Sequence, residues 1–188
     1  MGKLSVVAVS GNLGARSRSR TLVHEVVRAI EERTAAEVTS IDVGSLAADL
    51  GRLTDPADVP ERVAAALAAI GRADVLVVGS PVYKGSYTGL FKHLIDFVPP
   101  DALSGVPVVL TATGGSDRHA AVIEHQLRPL FGFFAAQTVP TGVFALDADF
   151  TDYRLIRPEV QARVIRAGEE ALALASLRRS RAAATTAA

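Results

Sequence analysis

Three short stretches of the chain carry side chains whose types and spacing could do chemistry. The first is Ser10-Gly11-Asn12-Leu13-Gly14-Ala15-Arg16-Ser17-Arg18-Ser19-Arg20-Thr21, with four hydroxyls, three arginines and no acid. It leads into Leu22, Val23, Val26, Val27 and Ile30, which recur at helical spacing. A helix N-terminus presents unpaired N–H groups and positive partial charge, so it attracts phosphate, and hydroxyls and a guanidinium add donors for a monoester's oxygens. The spacing is neither that of a Walker loop nor GxGxxG. The second stretch, Gly79-Ser80-Pro81-Val82-Tyr83-Lys84-Gly85-Ser86-Tyr87-Thr88-Gly89, combines three glycines, a proline and two tyrosines. It offers a rigid backbone, close approach and aromatic faces, which suit a flat ring. The third, Thr113-Gly114-Gly115-Ser116, lets backbone pass close to such a ring. Each has a plainer reading taken alone: a solvated basic turn, surface aromatics, an ordinary Gly-Gly turn.

The elements around these stretches decide whether they meet. Apolar, β-rich runs at Leu4–Ser10, Glu37–Val43, residues 74–79, Pro107–Thr113 and Thr138–Phe144 read as strands, the last made irregular by Pro140 and Gly142. Helical patterns lie between and after them, at 22–33, 60–71, 90–97, Arg118–Ala136 and Pro158–Arg179. Mostly apolar strands alternating with helices predict an α/β fold, a doubly wound five-stranded parallel sheet covered on both faces. The expected order is 2-1-3-4-5, the flavodoxin type, whose switch point lies between strands 1 and 3. That order brings the three stretches, all at carboxyl ends of strands 1, 3 and 4, to one crevice. Residues 1–180 are expected to form one domain, and 181–188, rich in Ala and Thr, a disordered tail.

Composition narrows the chemistry. The chain has 188 residues, 49% of them hydrophobic, enough for a large core. Lys+Arg and Asp+Glu both number 20, so bulk charge points to neither nucleic acid nor a membrane surface. There is no cysteine, which removes disulfides, thiolate metal sites and cysteine catalysis, so any redox chemistry must come from a bound cofactor. No apolar run approaches the roughly 20 residues of a membrane span and no signal core opens the chain, so a cytoplasmic location is expected. His24, His93, His119 and His125 are scattered, and the last two are six apart, which does not fit the i, i+4 spacing of ligand pairs; no metal site is expected. No Gly-x-Ser-x-Gly elbow is present.

Taken together, Ser10-Gly11, Ser17-Arg18-Ser19, the run Pro81-Val82-Tyr83-Lys84-Gly85-Ser86-Tyr87-Thr88-Gly89-Leu90-Phe91-Lys92 and Ala112-Thr113-Gly114-Gly115-Ser116 resemble the NAD(P)H-dependent FMN reductase family. Within it the chain is most similar to flavin reductases of two-component alkanesulfonate and methanesulfonate monooxygenase systems. The resemblance covers about residues 4 to 175. It implies that Ser17, Arg18 and Ser19, with Ser10 nearby, hold the FMN phosphate. Pro81, Val82, Tyr83 and Lys84 on one side and Thr113, Gly114 and Gly115 on the other would flank the isoalloxazine ring. FMN and NADH or NADPH are the implied cofactors, and an FMNH2-dependent monooxygenase the implied partner. Hydride transfer between cofactors asks for alignment and exclusion of water, so no catalytic acid or base is assigned. Asn12-Leu13-Gly14 departs from the Ser-x-Arg often found early in the family's first loop.

The resemblance also bears on the segment 118–136. Pro129 within it should kink a helix, and its apolar residues cover more than one face, as in a helix buried by a partner subunit. In related reductases this helix carries a one-residue insertion forming a π-bulge at a tetramer interface, and the matching position is His125. Backbone bonds of the i→i+5 type near residues 120–126, and a homotetramer, are therefore expected. Two other activities compete on the same fold: an FMN-retaining quinone or azo-compound reductase, and an electron carrier without a nicotinamide site. A regulatory module that binds neither nucleotide is a further alternative.

Overall fold

The computed structural model describes residues 3–186. Strand β1 (Leu4–Ser10) opens the chain, followed by α1 (Arg18–Glu31) and β2 (Ala36–Asp42). The connection after β2 is a string of short turns that includes α2 (Ala47–Leu50) and leads to α3 (Glu61–Gly71). Then come β3 (Val75–Pro81), α4 (Gly89–Asp96) and β4 (Pro107–Gly114). The strands pair in parallel in the order β2-β1-β3-β4, with Val9 opposite both Ile41 and Val78, and Val78 opposite Leu110. The doubly wound flavodoxin-like order expected from the sequence is the observed one.

Alternation along each strand divides the core into two halves. Val7, Val9, Leu76, Val78, Val108 and Leu110 pack with the α3 and α4 side, whereas Val6, Ala8, Val75, Val77 and Val109 pack under α1 and the last helix. Both sets are almost wholly buried, which explains why the strands read as unbroken apolar runs.

The expected fifth strand is two short ones. Here β5 (Gln137–Thr138) and β6 (Val143–Leu146) both pair parallel to β4, with the chain stepping out between them. Pro140 cannot donate to a ladder. At Gly142 a Cβ would lie 2.6 Å from Ile123 Cγ2, so the neighbouring segment occupies the space a side chain would need. The polar groups freed by this step are satisfied by the final helix α6 (Pro158–Thr186). Thr141 donates from its N–H and its Oγ1 to Glu170 at 2.8 Å each, and Arg163 donates to Gly142 O at 2.7 Å. Burial pushes the Glu170 carboxyl up, but these bonds and Arg166 hold it below its ordinary value.

The segment expected as one helix over 118–136 is broken into a 3-10 turn (Asp117–His119), a π turn (Ile123–Leu127) and α5 (Arg128–Gly132). Arg128 N–H reaches back five residues to Ile123 O, the i→i+5 bond, with His125 inside the turn. A third difference lies in α6, which runs through Thr186, so the expected end near Arg179 is corrected; residues 187 and 188 lie outside those described. Arg178, Arg179, Arg181, Ala182, Ala183 and Ala184 are helix formers that carry α6 onward. Arg179 also ties α6 down, donating to Asp74 Oδ2 at 2.6 Å and to Lys3 O at 3.1 Å. Between β6 and α6, two residues each of β7 (Phe150–Thr151) and β8 (Arg154–Leu155) form a small antiparallel hairpin, too short to show periodicity in the sequence. Among the described residues no helix is long and apolar enough to cross a membrane.

Candidate functional site

The carboxyl ends of β1 and β3 are laced together before any ligand is considered. Gly11 N–H donates to Gly79 O at 2.7 Å, and Thr88 Oγ1 donates to Gly11 O at 2.7 Å. The same Thr88 oxygen caps α4 by accepting from Phe91 N–H, while Thr88 N–H donates to Ser80 Oγ at 3.1 Å. Val82 N–H then reaches Thr113 O at 2.8 Å, joining the second stretch to the third. Gly79 lets α1 sit against β3: a Cβ there would lie 2.3 Å from Thr111 Oγ1 and 2.5 Å from Val23 Cγ2.

These contacts frame a cleft of about 360 Å³, within the range of small-molecule sites. Ser17, Arg18 and Ser19 line one end, and Pro81, Val82, Tyr83, Thr113, Gly114 and Gly115 the other, so nearly all the residues implied by the resemblance are brought together. Ser17 is the N-cap of α1, accepting from Arg20 N–H at 3.2 Å. The first turn of α1 holds no acid, which leaves its positive end open to an anion. Ser19, buried, shares a 2.5 Å hydrogen bond with Thr113 and so couples the anion end to the ring end. Arg18 lies 3.4 Å from Asp147 with both side chains well exposed, an ion pair that an arriving phosphate can outcompete.

Ser10 and Lys84 stand outside the lining. Ser10 is buried and donates to Asn12 Oδ1, and Asn12 Nδ2 donates to Gly14 O at 2.7 Å. The departure at Asn12-Leu13-Gly14 thus shapes the loop, with Ser10 as its support. Lys84 (φ +52°) and Gly85 (φ +83°) form the tip of a tight turn closed by Tyr83 N–H to Ser86 O at 2.8 Å, and the Lys84 side chain is exposed there. Tyr87 packs toward the core with Phe91, ring centroids 5.8 Å apart. Ser86 Oγ donates to Gln126 Oε1 at 3.2 Å, which ties the ring end to the π turn.

Asn12, Leu13, Gly14, Arg16, Asp147 and Tyr153 also line the cleft and are not among the site residues that the resemblance implies. The first four lay inside a stretch already read as anion-binding. Asp147 and Tyr153 come from the region after β6, where nothing in the residue pattern signals a site. His93 is structural: its Nε2 lies 3.0 and 2.9 Å from the carbonyls of Leu50 and Leu53, so it carries the proton and donates. Among the described residues no group of three or more His, Cys, Asp or Glu could hold a metal ion.

A parallel sheet with an anion-binding helix end and a Gly-Gly strand exit facing each other across the switch point defines a flavodoxin-like mononucleotide-binding protein. The donors present fit FMN: hydroxyls, a guanidinium and a helix N-terminus for a phosphate, and close backbone at Gly114 and Gly115 for a ring. Comparison with known proteins narrows the class. The family described as NADPH-dependent FMN reductase matches residues 4–151. The NADH-dependent FMN reductase SfnF of Pseudomonas fluorescens is 44% identical over 171 residues, 91% of each chain. An FMN reductase (NADPH) of Pseudomonas aeruginosa is 44% identical over 169 residues, covering 90% of this chain and 91% of that one. Among solved structures, an oxidoreductase from Corynebacterium diphtheriae superposes with a TM-score of 0.82 at 34% identity, over 93% of this chain and 96% of that chain. The apo form of the NADH:FMN oxidoreductase EmoB gives 0.81 at 28%, over 91% and 90%. The chain belongs to the NADPH-dependent FMN reductase family and is an NAD(P)H:FMN oxidoreductase.

Proposed function

We propose that the protein reduces FMN at the cleft between β1, β3 and β4 and hands the reduced flavin to a separate monooxygenase, in sulfonate or sulfone sulfur metabolism. When bound, FMN supplies the ring whose N5 takes hydride from nicotinamide C4. The observation that carries the reading is the pairing of an acid-free helix N-terminus at Ser17-Arg18-Ser19 with the Gly114–Gly115 backbone across one cleft. Ser17, Arg18 and Ser19 bind the phosphate; Pro81, Val82 and Tyr83 wall one side of the ring, and Thr113, Gly114 and Gly115 lie along the other. No side chain is asked to move a proton. The work of the protein is to hold the two rings in register and keep water out.

The supply role to a partner draws on relatives such as SfnF and SfnE of pseudomonads, named as NADH-dependent FMN reductases. The open, polar cleft, with its anion end in reach of solvent, suits a flavin that comes and goes. We further propose a single reductase domain over residues 1–180, a cytoplasmic location and a homotetramer built on the 118–136 segment. Phe133, at the C-cap of α5, is 71% exposed, an apolar surface of the sort that a second copy covers.

Steady-state oxidation of NADH and of NADPH by the purified protein, with FMN, FAD or riboflavin added, tests the reading. Saturable turnover that depends on added FMN is expected. No flavin-dependent turnover with either nucleotide would overturn it. Tight co-purification of FMN with high quinone activity would replace the supply role by that of an FMN-retaining quinone or azo reductase.

A further inference from the structure

The hairpin between β6 and α6 has a rigid base and a strained tip. At the base, Phe150 and Leu155 pair and are buried. Asp149, only 6% exposed, accepts from Leu146 N–H at 2.8 Å and from Arg157 Nε at 3.0 Å, and Ile156 N–H donates to Asp149 O at 2.8 Å. At the tip, Asp152 (φ +47°) and Tyr153 (φ +63°) both sit in the left-handed region. Two-residue hairpins ask for this geometry, but they ordinarily fill it with Asn or Gly, and a bulky aromatic residue there is strained. Strain of this kind persists where the surroundings hold it and where it serves a site.

The strained residue places its ring over the anion end of the cleft. Arg16 Cζ lies 4.6 Å from the Tyr153 ring centroid and Arg18 Cζ 5.4 Å, both within cation–π range. Beyond the ring is a second cavity, of about 640 Å³, along the outer face of α1. Arg16, Ser17 and Tyr153 line both cavities, so the Tyr153–Arg16 stack is the partition between them. The second cavity offers Arg20, His24 and Arg28, with Glu25 already paired to Arg28 and Arg20 to Asp42; Glu31 and Asp152 also line it.

We infer that Tyr153 ends the flavin site at the monoester phosphate and thereby selects FMN over FAD, an inference that rests on the FMN-binding reading above. A phosphate monoester stops where Ser17, Arg18 and Ser19 hold it. The diphosphate of FAD carries the chain onward to adenosine, and the way on from that end is where the Tyr153 ring lies against Arg16. Removing the ring joins the cleft to the second cavity, whose basic side chains can receive an adenylate. The same ring holds Arg16 and Arg18 in place, so it also tightens the grip on FMN, whereas riboflavin, which has no phosphate, does not sense it.

Calorimetric titration of FMN, FAD and riboflavin into the unaltered protein and into Tyr153→Gly, Tyr153→Phe and Asp152→Gly tests this, with kcat/KM for each flavin as a second readout. Glycine suits a positive φ, so Tyr153→Gly relaxes the turn and keeps the fold. Expected for Tyr153→Gly are an FMN Kd weakened roughly three- to tenfold, a FAD:FMN affinity ratio raised at least about tenfold, and a riboflavin Kd unchanged within about twofold. Tyr153→Phe, which keeps the ring, and Asp152→Gly, which relaxes the backbone and keeps the ring, should both retain the original ratio. The inference is overturned by an unchanged FAD:FMN ratio in Tyr153→Gly, by a riboflavin shift equal to that of FMN, by the same ratio change in Asp152→Gly, or by an unaltered protein that binds FAD as well as FMN. Absence of flavin-dependent turnover alongside normal FMN binding would instead count against the reductase reading and leave the binding ratio to decide this one.

Discussion

The two ends of the cleft are built in different ways. The anion end is made of side chains: Ser17, Arg16, Arg18 and Tyr153 present functional groups from a loop, a helix start and a hairpin tip, most of them partly open to solvent. The ring end is made of backbone. Gly11, Gly79, Val82 and Thr113 are locked by hydrogen bonds between strand exits, and Thr88, 2% exposed, serves both Gly11 and α4. An end made of exposed side chains can be retuned one residue at a time, whereas an end made of buried backbone moves only when the sheet does. On the proposed reading, selectivity for the phosphate and alignment of the ring would then be tuned largely apart, with the Ser19–Thr113 hydrogen bond as the link between them.

The largest expected effect comes from disturbing the backbone end at its tightest point. Gly79→Ala puts a methyl against Thr111 and Val23, and overpacking of this kind should cost about 3 kcal/mol. Chemical denaturation would show it as a lowered midpoint with an unchanged slope, and an unaltered midpoint would refute the tight fit of α1 on β3. At the other end, Arg18→Ala or Ser17→Ala should leave the fold intact and raise the apparent KM for FMN about 10- to 100-fold, the value of losing a hydrogen bond to a charged group. The KM for NAD(P)H should stay within about twofold, and equal shifts in both constants would erase the distinction between the ends. Thr88→Val removes a cap and the partner of Gly11 O, so a loss of about 1–2 kcal/mol is expected. Because it acts at the ring end, it should weaken FMN and riboflavin alike; a selective loss of FMN would contradict the comparison.

A change remote from both ends calibrates these. Burial raises the Asp74 carboxyl, but the Arg179 hydrogen bond, Ser5 N–H and nearby positive charge hold it below its ordinary value. A carboxyl lowered in the folded state stabilises the fold above the unfolded pKa of about 4 and loses that contribution as pH falls through the lower folded value. The pair is partly exposed, so Asp74→Asn should cost only about 0.5–1 kcal/mol at neutral pH. The gap between the two proteins should close on acid titration below about pH 4, with flavin constants untouched throughout. A gap that widens in acid would reverse the assignment.

The backbone end was the more legible in the sequence. Val75-Leu76-Val77-Val78 followed by Gly79 reads as a strand buried on both faces with a close approach at its exit, and the structure has both. The anion loop was also open to inspection, since three arginines without an acid beside a helical pattern need a reason. Tyr153 was not, because strands of two residues have no periodicity and the tip is Asp-Tyr where hairpin signals are Asn-Gly or Asp-Gly. The fifth strand split because packing of Ile123 against Gly142 is a long-range contact that local patterns cannot show. The last helix outruns its expected end because alanine and arginine propagate a helix already anchored at Asp74.

Gly44 sits just past β2, in the string of short turns that leads to α3. A Cβ at Gly44 would lie 2.5 Å from Leu13 O, and its N–H donates to Asn12 O at 2.9 Å. The phosphate loop thus leans on a chain segment that never touches the cleft, and its depth is gauged from behind. Insertions or deletions between residues 44 and 60 should then be read out as altered phosphate affinity at unchanged ring alignment. For anyone grafting this site onto another scaffold, the stretch to carry along is the backstop as well as the loop.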